Sequence, residues 1–92
     1  MVRNSARRAA QETVAAYHEA QLAELVRHVA AEIDRFRSGE VDAFEVDQVV
    51  FEYSRAAKEL WKFCNLPDAE FTASLIDKRA IDWWERGAPR RR

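Results

Sequence analysis

The apolar positions of this chain recur in steps of three and four over nearly its whole length, the period of helices that each bury one face. In the first segment, from about Ser5 to about Arg37, the apolar, small or ring-bearing positions are Val14, Ala15, His18, Leu22, Leu25, Val26, Val29, Ile33 and Phe36. No Gly or Pro interrupts this segment, and strong helix formers dominate it. Asn4 or Ser5 is placed to cap its start. The stretch before Tyr17 is mostly Ala among polar residues, so it offers little surface to bury and is expected to fray.

Ser38-Gly39-Glu40 stops the first helix, because Gly takes the left-handed conformation that helix ends favour. Asp42 then reads as the N-cap of a second helix. Glu45 is positioned to complete a capping box, with Val41 and Val46 as a hydrophobic staple. The second helix is expected from about Ala43 to about Cys64. Val46, Val49, Val50, Tyr53, Ala57, Leu60, Trp61 and Cys64 form its apolar side. The β-branched run at Val49-Val50 does not make a strand, since the helical period continues on both sides of it. The short link makes the first two helices antiparallel neighbours.

Asn65-Leu66-Pro67 breaks the second helix. Pro67 suits the first turn of a third, with Asp68 and Glu70 favourably placed against its dipole. The third helix is expected to run unbroken to about Arg86, with Leu75, Ile76, Ala80, Trp83 and Trp84 on a broad arc and Phe71 at its edge. Gly87 ends it. The fold class is therefore all-α: a long antiparallel hairpin plus a shorter third helix, bundle-like and expected to dimerise. One domain covers residues 1–92, with residues 1–4 and 88–92 expected as flexible basic ends.

Composition changes this picture in three ways. A domain of 92 residues buries only a thin core, which makes oligomerisation attractive. The net charge of -1 gives no general drive toward nucleic acid or membrane, but its distribution is uneven. Arg3, Arg7 and Arg8 mark the start and Arg86, Arg90, Arg91 and Arg92 the end, with an acidic zone from Glu32 to Glu52 between them. The single cysteine, Cys64, excludes an intrachain disulfide and a multi-cysteine zinc site. With no secretory leader and no apolar run long enough to span a membrane, the expected location is cytoplasmic.

Candidate chemistry is sparse. Glu24 and His28 are spaced for a helix-face contact, but no Glu-x-x-His metal motif occurs, and His18 and His28 fall on different faces. No metal or cofactor is expected. Cys64 sits on the apolar stripe, where a thiol usually serves as a small hydrophobe. Gly39 and Gly87 are isolated and make no phosphate loop. The central cations Arg27, Arg35, Arg55, Lys58 and Lys62 spread around the helices without converging as an anion-binding catalytic site requires. An enzyme is not expected.

The remaining signal is a second apolar stripe. Phe44 and Phe51 align one heptad apart, nearly opposite the buried side of the second helix. Trp83 and Trp84 diverge by about 100° and raise the same question of what covers them. These four residues are the expected protein–protein interface. An antiparallel second copy would set the acidic start of helix two against Arg55, Lys58 and Lys62. The sequence thus suggests a non-enzymatic helical interaction module that self-associates, as an adaptor, a regulatory subunit or the antitoxin half of a pair. A further, unidentified protein partner remains compatible with that reading. The alternative is a nucleic-acid-associated protein that neutralises phosphates through Arg3, Arg7, Arg8, Arg90, Arg91 and Arg92. The isoelectric point of about 6.1 and the lack of a sustained basic helix face argue against it.

Overall fold

The computed structural model describes Val2–Pro89, with side chains from Ser5 onward. Four helices follow in order: α1 (Val2–Arg37), α2 (Ala43–Cys64), α3 (Ala69–Lys78) and α4 (Trp83–Arg86). The molecule measures 58 × 31 × 18 Å. Its long axis is set by α1, whose 36 residues span about 54 Å at 1.5 Å each. The Ala-rich start of α1 is helical rather than frayed, because α3 lies along it. Ala10 and Val14 are buried there, and so is Thr72 of α3.

The turn between α1 and α2 is built from caps. The Glu40 N–H donates to the Arg35 carbonyl and the Gly39 N–H to the Phe36 carbonyl, with Gly39 at φ 84°, the paired bonds of a Schellman stop. The apolar clasp that often accompanies this motif is replaced here by an ion pair, Arg35 Nε to Glu40 Oε2 at 3.6 Å. Asp42 caps α2 by accepting from the Glu45 N–H at 2.9 Å, which is the forward half of the expected capping box. Val41 is buried beside this cap.

From that turn α2 packs back along the second half of α1, and Tyr17 of α1 meets Phe63 near the end of α2 with ring centroids 6.0 Å apart. The core is Leu25, Ala56, Leu60 and Trp83, surrounded by half-buried Leu22, Tyr53 and Phe63. The expected stripe of α2 is rotated slightly. Ala56 and Leu60 lie at its centre, fully buried, whereas Val50 and Trp61 are exposed at its margin. On α1, Val26 and Phe36 are likewise about half exposed. Glu32 is buried instead, with its carboxylate accepting from Arg35 at 3.1 Å.

The largest departure from expectation is the third helix, which is two. Pro67 stands one position before the cap rather than in the first turn. Asp68 caps α3 by accepting from the Phe71 N–H at 3.1 Å, and the Thr72 hydroxyl donates to the Asp68 carbonyl. The helix ends at Lys78. Arg79 is extended (φ -133°, ψ 130°), and Asp82 starts α4 by accepting from the Glu85 N–H at 3.2 Å. The physical reason is directional. A helix continued from Ala69 would stay on α1, whereas the extended link lets the chain cross to α2 and bury Trp83 between the two. There the Trp83 indole N–H donates to the Tyr17 hydroxyl at 2.7 Å.

Gly87 completes this crossing. It is buried against the backbone of α2, and its carbonyl accepts from Arg55 Nε at 2.6 Å. Its φ is ordinary at -90°, so conformational freedom is not the reason for a glycine here. A Cβ would fall on the Glu52 carbonyl oxygen and within 2.7 Å of Ala56 N and Cβ, so the close approach itself requires it. Ala88, expected in a flexible end, is half-buried, and its N–H donates to the Glu85 carbonyl.

Candidate interaction surface

The side of α2 that faces away from the core is held rigidly from behind. Asp42 caps its start, Ala56 and Leu60 anchor its middle, and the Asn65 side-chain amide donates to the Trp61 carbonyl at its end. On that outer side Phe44 is 79% exposed, Trp61 58% and Phe51 56%. Asp47, Ser54 and Lys58 lie between them and are exposed as well. Neither Asp47 nor Lys58 has an ion-pair partner among the described residues, although five other pairs form. α4 reaches the far edge of α2 at Glu52 and Ala56 and leaves Phe44 and Phe51 uncovered.

Of the four aromatic residues expected on an interface, the structure leaves Phe44 and Phe51 on the surface and withdraws Trp83. Trp83 is 5% exposed, fixed by its bond to Tyr17 and by the Phe63 ring at 5.3 Å, so it is a core residue. Trp84 is half-buried because it stacks on His28, with centroids 4.2 Å apart and planes 4° apart. Trp61 is the surface aromatic that sequence reasoning placed on the wrong side. Its position at the edge of the apolar arc was visible, but only the rotation of α2 against α1 decides which edge faces solvent.

The other candidate groups are occupied elsewhere or inert. His28 stacks on Trp84 rather than bonding Glu24, which pairs with Arg27. No group of three or more potential metal ligands converges among the described residues. No described helix is long and apolar enough to cross a membrane. Burial pushes the Glu52 carboxyl above its usual range, opposed by Arg55 and His28 and reinforced by Glu85 and Asp82. Of the basic ends, Arg7 and Arg8 are exposed on the first turns of α1. The Arg3 side chain and Arg90, Arg91 and Arg92 lie outside the described residues.

Cys64 is half-buried at the end of α2, and burial pushes its thiol up to about 11. At pH 8 only about one molecule in a thousand then carries a thiolate, though a high-pKa thiolate regains part of the rate through greater nucleophilicity. Alkylation by iodoacetamide at pH 8 is therefore expected to be about tenfold or more slower in the native protein than in urea. Equal rates would show that the thiol is neither buried nor held neutral. Comparison of the chain with protein-family models, curated proteins and solved structures gives no match, so the functional reading rests on this surface alone.

Proposed function

We propose that this protein is a small helical interaction module that self-associates through the outer face of α2. Its role is that of an adaptor, a regulatory subunit or an antitoxin-like half of a pair, working by docking rather than by catalysis. The observation that carries the reading is the exposure of Phe44 and Phe51 on a helix whose opposite face is already the core. Isolated exposed rings are ordinary, but three spaced along one face of one helix, with Asp47, Ser54 and Lys58 between them, suit docking against another helix. The overall surface points the same way. At 7223 Å² it exceeds by about 30% what a compact monomer of 10.7 kDa exposes.

Phe51→Asp places a charge in the middle of that contact and is expected to dissociate the dimer. Light scattering on both proteins at matched concentration is the measurement. A monomeric wild type overturns self-association. A dimeric Phe51→Asp variant places the contact on another surface, with the half-exposed Val26 and Phe36 of α1 next to examine.

A further inference from the structure

The outer face of α2 carries more information than its apolar character. Phe44, Asp47, Phe51, Ser54, Lys58 and Trp61 are all exposed, and they follow one another in steps of three and four. This is the a/d spacing of a coiled-coil seam, continued over about 25 Å of helix. It sits on the back of a helix whose other side is already filled by α1 and α4. A second seam on a packed helix has no use inside the monomer.

Resting on the self-association reading, we propose that the occupant of this face is a second copy of the chain, α2 lying antiparallel on α2 in one register. In that register Phe44 meets the partner's Trp61, Asp47 meets the partner's Lys58, and Phe51 meets the partner's Ser54. Each pairing occurs twice about the twofold axis, because antiparallel seams set an a position against a d position. Large rings thus face a large ring at the two ends and a small residue at the centre. The two unpaired charges of the face answer each other. Asp47 and Lys58 are three turns apart on one helix, too far to pair within a chain, yet in the dimer each has the other's copy opposite.

Competing arrangements fail on the same residues. A parallel pair in register sets Asp47 on Asp47 and Lys58 on Lys58, two like-charge layers. An antiparallel pair slipped by one heptad in one direction sets Asp47 on Phe51, and slipped in the other it carries Asp47 to Asn65 at the end of α2 and sets Lys58 on Ser54, so in neither do the two charges meet. The flanks agree with the chosen register. Ala43, Val50 and Ala57 line one margin and permit close approach. On the other, Arg55 is drawn away by its bond to the Gly87 carbonyl rather than facing its own copy. The charged layers fix orientation more than they add affinity, as polar groups in such seams do.

The test is a charge-reversal series on the full chain, read by sedimentation equilibrium, with circular dichroism to confirm that the exposed substitutions leave the helices intact. Asp47→Lys and Lys58→Asp, each alone, create two like-charge layers and are expected to raise the dimer dissociation constant by about tenfold or more. The double variant Asp47→Lys, Lys58→Asp restores opposite charges in the antiparallel register and is expected to return to within about threefold of wild type. In a parallel dimer the single variants exchange one repulsive layer for another and leave the constant unchanged. A wild-type dimer insensitive to either single reversal overturns the register while self-association stands, and so does a double variant that stays as weak as the singles. A monomeric wild type overturns both.

Discussion

Leu60→Ala is expected to cost about 2–5 kcal/mol of folding stability, read as a lower midpoint in urea unfolding with an unchanged slope. Leu60 is fully buried between α1 and the returning α4 segment, in a core cluster with Leu25, Ala56 and Trp83. Its neighbours belong to different helices, and rigid helices cannot easily collapse onto the cavity left by three missing carbons. A domain of this length holds roughly 5–15 kcal/mol in total, so the variant sits near the limit of folding. The comparison residue is Trp61, its immediate neighbour, which is 58% exposed. Trp61→Ala is expected to leave monomer stability nearly unchanged, measured at concentrations too low for association. A midpoint for Leu60→Ala equal to wild type would mean that α2 presents another face to α1.

Gly87→Ala is expected to destabilise by about 1–3 kcal/mol or more, an unusually large effect for a single methyl group outside any regular core position. The added Cβ collides with the carbonyl oxygen of Glu52 and the backbone nitrogen of Ala56, and these atoms belong to a hydrogen-bonded helix that cannot yield. The strain is relieved only by lifting the Trp83–Gly87 segment off α2. That breaks the Arg55–Gly87 bond and loosens the Trp83–Tyr17 bond. Tryptophan fluorescence therefore provides a second readout, since Trp83 moves toward water and its emission shifts to the red. An unchanged midpoint and unchanged emission would show that Gly87 does not pack against α2. Because φ at this position is accessible to any residue, the effect separates close packing from backbone conformation.

Both predictions concern α2, and they depend on the sequence to different degrees. Leu60 is legible from periodicity alone, since it falls within the apolar stripe drawn through the segment, although the rotation that brings it and Ala56 to the centre is not. Gly87 is legible only as a helix stop. That it also allows a close approach to Glu52 and Ala56 depends on a contact between residues distant in sequence, and no local pattern encodes it. Trp83 belongs to the same class. Two adjacent tryptophans on one helix cannot both face the same way, but which one enters the core is decided by the extended link at Arg79–Asp82. That link has no Gly or Pro to announce it, and its local signal, Asp82 followed by Glu85, is the modest one of an N-cap.

Local pattern is enough for the all-helical class, the long first helix, the Gly39 stop with its Asp42 cap, the second helix with Leu60 on its buried side, and the outward placement of Phe44 and Phe51. Each of these follows from the 3.6-residue period or from capping chemistry within a few positions, so nearest neighbours along the chain suffice. What no local pattern settles is that α3 holds the start of α1, that the third helix breaks in two, and that Trp83 is core while Trp61 is surface. Those outcomes depend on the rotation of one helix against another and on where the returning chain finds room. These are properties of pairs of surfaces, and a stripe on a single helix leaves them open by tens of degrees.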